Sequence, residues 1–169
     1  MLRNISYVIA ANIVIFLRKI IGCKIQAPIV NMISPTCSLI TREGGSIIIG
    51  KRSSIRRNSE LSTTSGKIII GENCFINRDC MIVAHDLISI GNNTSIGPGV
   101  YIYDHDHDGK GGYVSHPIII GENVWIGAGC IILKGTTIGD NAVIGAGTLV
   151  CRDVVPGMMM LNKRETVIK

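Results

Sequence analysis

The chain has 169 residues, a formal net charge of +5, and a composition that is 46% hydrophobic but only 4% aromatic, with 20 glycines. This length suits one domain with a sizeable core, and the scarcity of aromatic side chains favours a thin, repetitive β structure. The basic charge suits an anionic ligand such as a phosphate-bearing cofactor. The sequence has no long Lys/Arg run and no basic-aromatic pattern, which argues against nucleic acid as a partner.

An apolar segment lies near the start of the sequence. Residues 5–17, ISYVIAANIVIFL, are flanked by Arg3 and by Arg18 and Lys19, and they include Asn12. A membrane-spanning helix needs about 20 apolar residues, and no convincing signal-peptide cleavage site follows. We therefore expect residues 1–28 to form a helix and linker that pack on the rest of the protein or lie on a membrane surface. The expected location is the cytoplasm, at the inner face of the membrane if the helix binds there.

A six-residue repeat dominates the rest of the chain. Aliphatic residues recur at every sixth position in its clearest part, at Ile120, Ile126, Ile132, Ile138, Ile144 and Val150. Neither a helix, with a period of 3.6, nor a single long strand, with a period of 2, produces this spacing. Three short strands joined by bends would complete one triangular coil of 18 residues, with the aliphatic side chains pointing inward. The sequence predicts an all-β solenoid over residues 29–158, followed by a tail at 159–169.

The cysteines fit the same frame. Cys74, Cys80 and Cys130 fall on a second inward slot that holds small side chains, where a thiol serves as a small apolar filler. None of the six cysteines forms a C-x-x-C pair, so a zinc ribbon has little support. We expect reduced thiols.

The repeat is interrupted once by a long insertion. Residues 104–117 lie outside the six-residue frame and include the stretch DHDHDGKGG. Two histidines among three aspartates could serve as zinc ligands or as an acid–base site. The sequence predicts a loop that leaves the coil at this point.

The repeats, with the stretch IGENVWIGAGCIILKGTTIGDNAVIGAGTLV, resemble the hexapeptide-repeat acyltransferases, in particular the galactoside and maltose acetyltransferase branch. This resemblance covers most of the chain and implies a left-handed parallel β-helix. It also implies a homotrimer whose active sites lie between subunits, with acetyl-CoA as acyl donor in a groove between neighbouring coils. The implied acceptor is a sugar or a polysaccharide precursor.

The resemblance also implies roles for individual residues. His107 matches the catalytic histidine and His105 supports it or replaces it as the base. The candidates for acceptor contact are Asn77, His85, Thr63 and Tyr103. The candidates for cofactor contact are Trp125, Ala128, Ala146, Cys151, Arg152, Lys163 and Lys169. The chain departs from the family at His85, where an acidic residue is common, and in its last residues, which lack the usual Gly and Pro.

The chemistry expected of the loop is direct transfer. A histidine would take the proton of the acceptor hydroxyl as that oxygen attacks the thioester, and no G-x-S-x-G elbow suggests an acyl-enzyme. Asp104, Asp106 and Asp108 are all candidates to orient the histidine. Alternatives are N-acetylation of an amino sugar, a zinc enzyme like the gamma-class carbonic anhydrases, and a non-catalytic sugar-binding scaffold. The His-x4-His pair of those anhydrases is missing, since Gly121 lies five positions after His116, and no metal is expected.

Overall fold

The computed structural model describes the backbone of residues 2–162 and the side chains of residues 5–162. The helix α1 spans Leu2–Ile20, and a turn leads from it into a coil of short strands. In chain order the strands are β1 (Ile25–Gln26), β2 (Met32–Ile33), β3 (Ser38–Thr41), β4 (Ser46–Ile49), β5 (Ser54–Ile55), β6 (Glu60–Thr63), β7 (Lys67–Ile70), β8 (Phe75–Ile76), β9 (Met81–Ala84), β10 (Leu87–Ile90), β11 (Ser95–Ile96), β12 (Tyr101–Tyr103), β13 (His105–His107), β14 (Tyr113–Ser115), β15 (Ile118–Ile120), β16 (Trp125–Ile126), β17 (Ile131–Leu133), β18 (Thr137–Ile138), β19 (Val143–Ile144), β20 (Leu149–Val150) and β21 (Met159–Met160).

Three parallel sheets form the three sides of the coil. The first sheet has the order β1-β4-β7-β10-β15-β18, the second β2-β5-β8-β11-β16-β19-β21, and the third β3-β6-β9-β12-β17-β20. Each strand pairs with its counterpart one coil away, as Ile88 does with Ile68 and Ile118. The predicted solenoid is therefore confirmed as a parallel β-helix of about six turns with one N-terminal helix, consistent with the left-handed hexapeptide-repeat fold.

The core is a set of aliphatic ladders inside the coil. Ile120, Ile126, Ile132, Ile138, Ile144 and Val150 are all buried, as the six-residue period predicts. Cys74, Cys80 and Cys130 are buried as well, and burial raises the pKa of each of these thiols. The small-slot interpretation of the cysteines is confirmed.

The corners of the coil depend on residues that accept unusual backbone angles or close approach. Asn73, Asn93, Asn123 and Asn141 repeat at one corner with positive φ, a conformation that asparagine tolerates better than most residues. At the same corner Gly91 stacks on Gly121, and a Cβ on Gly91 would lie 2.5 Å from the Gly121 backbone. The coils can therefore stack closely there only because a side chain is missing.

The insertion is a β-hairpin. β13 and β14 pair antiparallel, with His107 opposite Tyr113, and the first sheet resumes at Ile118. The hairpin projects from the corner between the third and first sheets, directly after β12. The coil thus carries its only long excursion, within the described residues 2–162, at the position of the DHDHD motif.

Candidate active site

The carboxylate of Asp104 is buried at the corner between the third and first sheets, where the hairpin leaves the coil. Its side chain is 0% exposed, and its two oxygens accept hydrogen bonds from the backbone amides of His85 and Asp86, each at 2.8 Å. Those amides belong to the corresponding corner one coil earlier. A buried carboxylate needs such donors because it has lost its hydration. Asp104 therefore joins two successive coils at this corner.

His105 is held by the same carboxylate. Its Nδ1 lies 3.2 Å from Oδ1 of Asp104, and its side chain is only 13% exposed. Because a carboxylate oxygen accepts, this contact calls for the proton on Nδ1 and leaves Nε2 as the ring's acceptor. A histidine with a fixed ring and an unprotonated Nε2 can act as a general base.

His85 and Tyr113 pack around His105. The ring centroids of His85 and His105 are 3.8 Å apart, and Tyr113 meets His85 edge-on at 4.3 Å. Burial, followed by the proximity of the His105 ring, lowers the pKa of His85. His85 is therefore favoured in its neutral form beside His105, in a cluster to which the coil and the hairpin both contribute.

His107 lies further out on the hairpin. It is exposed, and its ring centroid is 6.4 Å from that of His105 and 6.0 Å from that of Tyr113. No hydrogen bond or ion pair of its side chain is found among residues 5–162. The predicted catalytic histidine thus stands near the cluster without a carboxylate to orient it.

The three aspartates of the motif interact with three different sets of partners. Asp106 forms an ion pair with Nζ of Lys134 on the coil, and this lysine lowers the pKa of Asp106. Asp108 accepts from the backbone amides of Lys110 and Gly112 at the hairpin turn, and these bonds lower its pKa. Among the three, only Asp104 forms a hydrogen bond with a histidine ring in the described part of the chain.

An apolar groove runs along the outside of the second sheet. Its volume is about 540 Å³, within the range of ligand pockets. Four of the predicted site residues, Asn77, Trp125, Ala128 and Ala146, line it together. Trp125 points outward and is 61% exposed. The sequence interpretation grouped Asn77 with His85, whereas the structure groups Asn77 with the predicted cofactor residues.

Sequence reasoning missed several residues of this groove. Phe75, Pro98 and Leu161 also line it. A signal for Phe75 was available, because Phe75 and Trp125 both pair with Ser95 and so occupy the same outward slot. No comparable repeat marks Leu161, which lies beyond the last coil.

Thr63 and Tyr103 lie away from the groove. Thr63 is 2% exposed, and its hydroxyl has no partner among the described residues. It borders a small polar cleft of about 150 Å³ with Arg42, Glu60 and Ser62. Tyr103 donates to Sδ of Met81 at 3.0 Å, and burial raises its pKa.

The remaining cofactor candidates lie toward the end of the coil. Arg152 lines a separate cleft with Val155 and Met158, and Cys151 is exposed. Lys163 and Lys169 lie outside the described residues. Within residues 2–162, no three His, Cys, Asp or Glu side chains are arranged to hold a metal ion.

The histidine cluster and the groove are separate features of the coil. The cluster occupies the corner between the third and first sheets, whereas the groove lies along the second sheet and the turns that lead from it to the third. Six residues of extended chain span roughly 20 Å, which sets the scale of each side. The two features of one chain therefore lie on different parts of the surface of the coil.

Two family models match the coil. "Bacterial transferase hexapeptide (six repeats)" matches residues 117–152, and "Hexapeptide repeat of succinyl-transferase" matches residues 67–104. Both stretches lie in the part of the chain where the six-residue period is clearest. The matches confirm the resemblance to the hexapeptide-repeat transferases.

Named relatives point the same way. The chain is 48% identical over 100 residues to Nodulation protein L of Rhizobium meliloti, covering 56% of this chain and 55% of that protein. It is 41% identical over 98 residues to galactoside O-acetyltransferase of Escherichia coli K12, covering 54% of this chain and 48% of that enzyme. The chain thus spans about half the length of the curated relatives it matches.

Solved structures share the fold over a longer range. A variant of AntD, an N-acyltransferase from Bacillus cereus in complex with dTDP-4-amino-4,6-dideoxyglucose and coenzyme A, superimposes with a TM-score of 0.69. The match covers 89% of this chain and 86% of AntD at 21% identity. At that identity the likeness is one of fold.

Proposed function

We propose that this chain, whose coils match the repeats of the hexapeptide transferases, transfers an acetyl group from acetyl-CoA to a hydroxyl of a sugar or polysaccharide precursor. The observation that carries the proposal is the pair formed by Asp104 and His105. It places a fixed imidazole next to a buried carboxylate at the point where the hairpin leaves the coil. The similarity to galactoside O-acetyltransferase supports acetyl transfer and a hydroxyl acceptor.

In the proposed mechanism His105 is the general base. Its Nε2 takes the proton of the acceptor hydroxyl while the hydroxyl oxygen attacks the thioester carbonyl. The C–S bond breaks as the tetrahedral intermediate collapses, and the imidazolium of His105 returns the proton to the departing CoA sulfur. Asp104 holds the ring and stabilises its charged form during the reaction. The products are the acetyl ester and CoA, so atoms and protons balance without a further reactant.

The geometry favours His105 over His107, the base that the sequence interpretation preferred. A general base needs a fixed position relative to the proton that it accepts, and Asp104 supplies this to His105 alone. His107 lies two residues further along the hairpin strand and is exposed. In this proposal His107 borders the acceptor and Tyr113 covers the cluster.

The groove on the second sheet is the proposed site for the pantetheine arm of acetyl-CoA. It is apolar, and glycine at one of its lining positions lets neighbouring coils stack closely there. A Cβ at Gly127 would lie 2.5 Å from the backbone of Ala146. The AntD structure contains coenzyme A on the same fold. Trp125, Ala128 and Ala146 would contact the arm, while Arg152 and the residues beyond 162 are candidates for the phosphates.

The proposed enzyme is a homotrimer, the assembly that the family resemblance implies, and in this proposal base and donor groove come from different copies. The groove of one protomer must face the histidine corner of a neighbour for the acetyl group to reach His105. A cyclic arrangement of three copies repeats this junction three times and leaves none open. Each active site then has its base on one protomer and its thioester on the next.

The experiment is a comparison of two histidine variants. His105→Ala should lower kcat for CoA release by about 10²–10⁴-fold, the usual contribution of a general base, with little change in acetyl-CoA affinity. His107→Ala should lower kcat by less than tenfold. The assay would screen sugars, nucleotide sugars and amino sugars as acceptors, which also separates O- from N-acetylation.

Asp104→Asn tests whether Asp104 orients the His105 ring. An amide can no longer accept from both backbone groups and the imidazole, so kcat should fall and the pH profile of kcat should change shape. If His105→Ala retains turnover while His107→Ala abolishes it, the base is His107. Near-normal turnover in both variants would rule out both His105 and His107 as the base.

A further inference from the structure

The helix α1 uses one narrow face to pack on the end of the coil. Ala11 and Ile15 are buried, and Val8 lies on the same side at helical spacing. The helix contacts β1, β2 and β3, the strands of the first coil. Asn12 adds a hydrogen bond to the carbonyl of Ile29 at 3.2 Å. This face satisfies the expectation that the helix packs on the rest of the protein.

The opposite face of α1 is also apolar, and nothing in the described chain covers it. We define the outer face of α1 as those large apolar side chains of the helix and the adjoining loops that are more than half exposed. They are Ile5, Ile9, Ile13, Phe16, Leu17, Ile20, Ile21, Ile29 and Val30. Part of this face forms a shallow groove of about 400 Å³ between the helix and Ile29. Exposed apolar patches of this extent on a folded domain mark interaction surfaces.

The charge around this face has one sign. Residues 1–42 contain five basic residues and no acidic one, since the first acidic residue of the sequence is Glu43. Arg18 and Lys19 lie in the last turn of the helix. Among the residues with described side chains, neither of them is in a salt bridge. The helix therefore ends in two cations, next in sequence to Leu17 and Ile20 of the apolar surface, that form no salt bridge among the described side chains.

We propose that the outer face of α1 docks on an anionic lipid surface, with the helix lying in the plane of the interface. Apolar side chains on one face, with Lys and Arg beside them, are the composition that such interfacial helices use. No helix among the described residues is long and apolar enough to cross a membrane, which leaves interfacial binding as the mode that this helix fits.

Charge also distinguishes a lipid surface from a second copy of the chain. Two copies meeting through this face would bring together two segments that each carry five basic residues and no acidic one, and like charges at an interface disfavour association. Anionic headgroups instead complement them. The histidine cluster follows the fourth coil, three coils away from the first coil, on which α1 packs. Because successive strands lie about 4.8 Å apart, docking through α1 leaves the cluster roughly 15 Å from the first coil.

The test is co-sedimentation of the full chain with vesicles of phosphatidylcholine, with and without phosphatidylglycerol. We expect binding to the anionic vesicles and little binding to phosphatidylcholine alone. Phe16→Asp should weaken the partition by about tenfold or more, since it puts a charge into the apolar contact. Reversal of both Arg18 and Lys19 to Glu should weaken it by at least about thirtyfold, and added salt should act in the same direction.

The matched control is Val155→Asp, an exposed apolar position at the far end of the coil, which should bind vesicles like the unchanged chain. Melting temperature and oligomeric mass are measured for every variant. The proposal is overturned if the unchanged chain ignores anionic vesicles, or if Phe16→Asp binds them equally well. It is also overturned if Phe16→Asp reduces the oligomeric mass, because the face is then a contact between copies.

Discussion

At the corner after β12, one buried carboxylate accepts hydrogen bonds from residues up to 19 positions away in the sequence. Asp104 closes the preceding coil through two amides and orients the His105 ring through Nδ1. A buried backbone amide without a partner costs about 1–3 kcal/mol, so the same side chain serves both folding and the proposed chemistry. Its neighbours Asp106 and Asp108 serve only the hairpin.

The lowered pKa of His85 predicts a pH-dependent stability. Burial and His105 lower the folded-state pKa of His85 below the ordinary value of 6.5. The unfolded chain therefore binds more protons than the folded chain as pH falls through that value, and stability is lost on acidification. Replacing His85 with Asn should make the melting temperature less sensitive to pH between pH 7 and pH 5.

The control for this prediction is His116→Asn, which removes an exposed histidine outside the cluster. Its melting curve should keep the pH sensitivity of the unchanged chain. An equal response of both variants would mean that the acid sensitivity arises elsewhere in the molecule.

At the scale of elements, the hairpin of β13 and β14 has few attachments to the coil. The buried Asp104 anchors its first strand, and the backbone amide of His116 donates to the carbonyl of Asp104 at 2.8 Å to anchor the second. The ion pair of Asp106 with Lys134 adds one link to the next coil. Since Asp106 is largely exposed, this pair contributes little to global stability, but it can restrain the position of the hairpin.

Lys134→Ala should therefore loosen the hairpin without unfolding the coil. We expect faster amide hydrogen exchange at residues 106–114, a change of less than about 1 kcal/mol in the free energy of unfolding, and a fall of several-fold in kcat. Lys51→Ala, at an exposed corner away from the hairpin, should change neither exchange at 106–114 nor kcat. Unchanged exchange in Lys134→Ala would show that the ion pair does not restrain the hairpin.

At the scale of the whole molecule, the triangular section separates the two parts of the proposed site. The groove with Trp125 and the corner with His105 lie on different parts of the surface of one coil, and the proposed reaction takes them from two neighbouring copies. The N-terminal helix lies at one end of the coil and obstructs neither side. The proposed donor groove, the proposed base and the proposed docking face thus lie at three different places on one chain.

Mixed trimers test this division directly. His105→Ala removes the base, and Ala128→Trp fills the groove, so each variant alone should be inactive. In a cyclic trimer that contains both variants, one junction joins an intact His105 to an intact groove. Random assembly of equal amounts should therefore restore about one quarter of the unchanged activity, since about three quarters of the trimers are mixed and one site in three is intact.

The controls are each variant mixed with itself and a mixture of trimers formed before they are combined. Both should stay inactive, because no new junction forms. Absence of rescue after co-expression, with mixed trimers verified by mass spectrometry, would mean that base and groove belong to the same copy.

The sequence by itself determined the repeat, and with it the inward positions of Ile120, Cys130 and their equivalents. Those positions follow from a local rule, because each six-residue side repeats the same packing against the coils on either side of it. It also located the insertion, and the family resemblance assigned Trp125, Ala128 and Ala146 to the groove that they line. Only the tertiary structure decided which aspartate holds a histidine. Asp104, His85 and Tyr113 meet through contacts between the coils and the hairpin, and the six-residue repeat of the sequence does not predict such contacts. For the same reason, the tertiary structure alone separated Asn77 from His85 and left an apolar face of α1 uncovered.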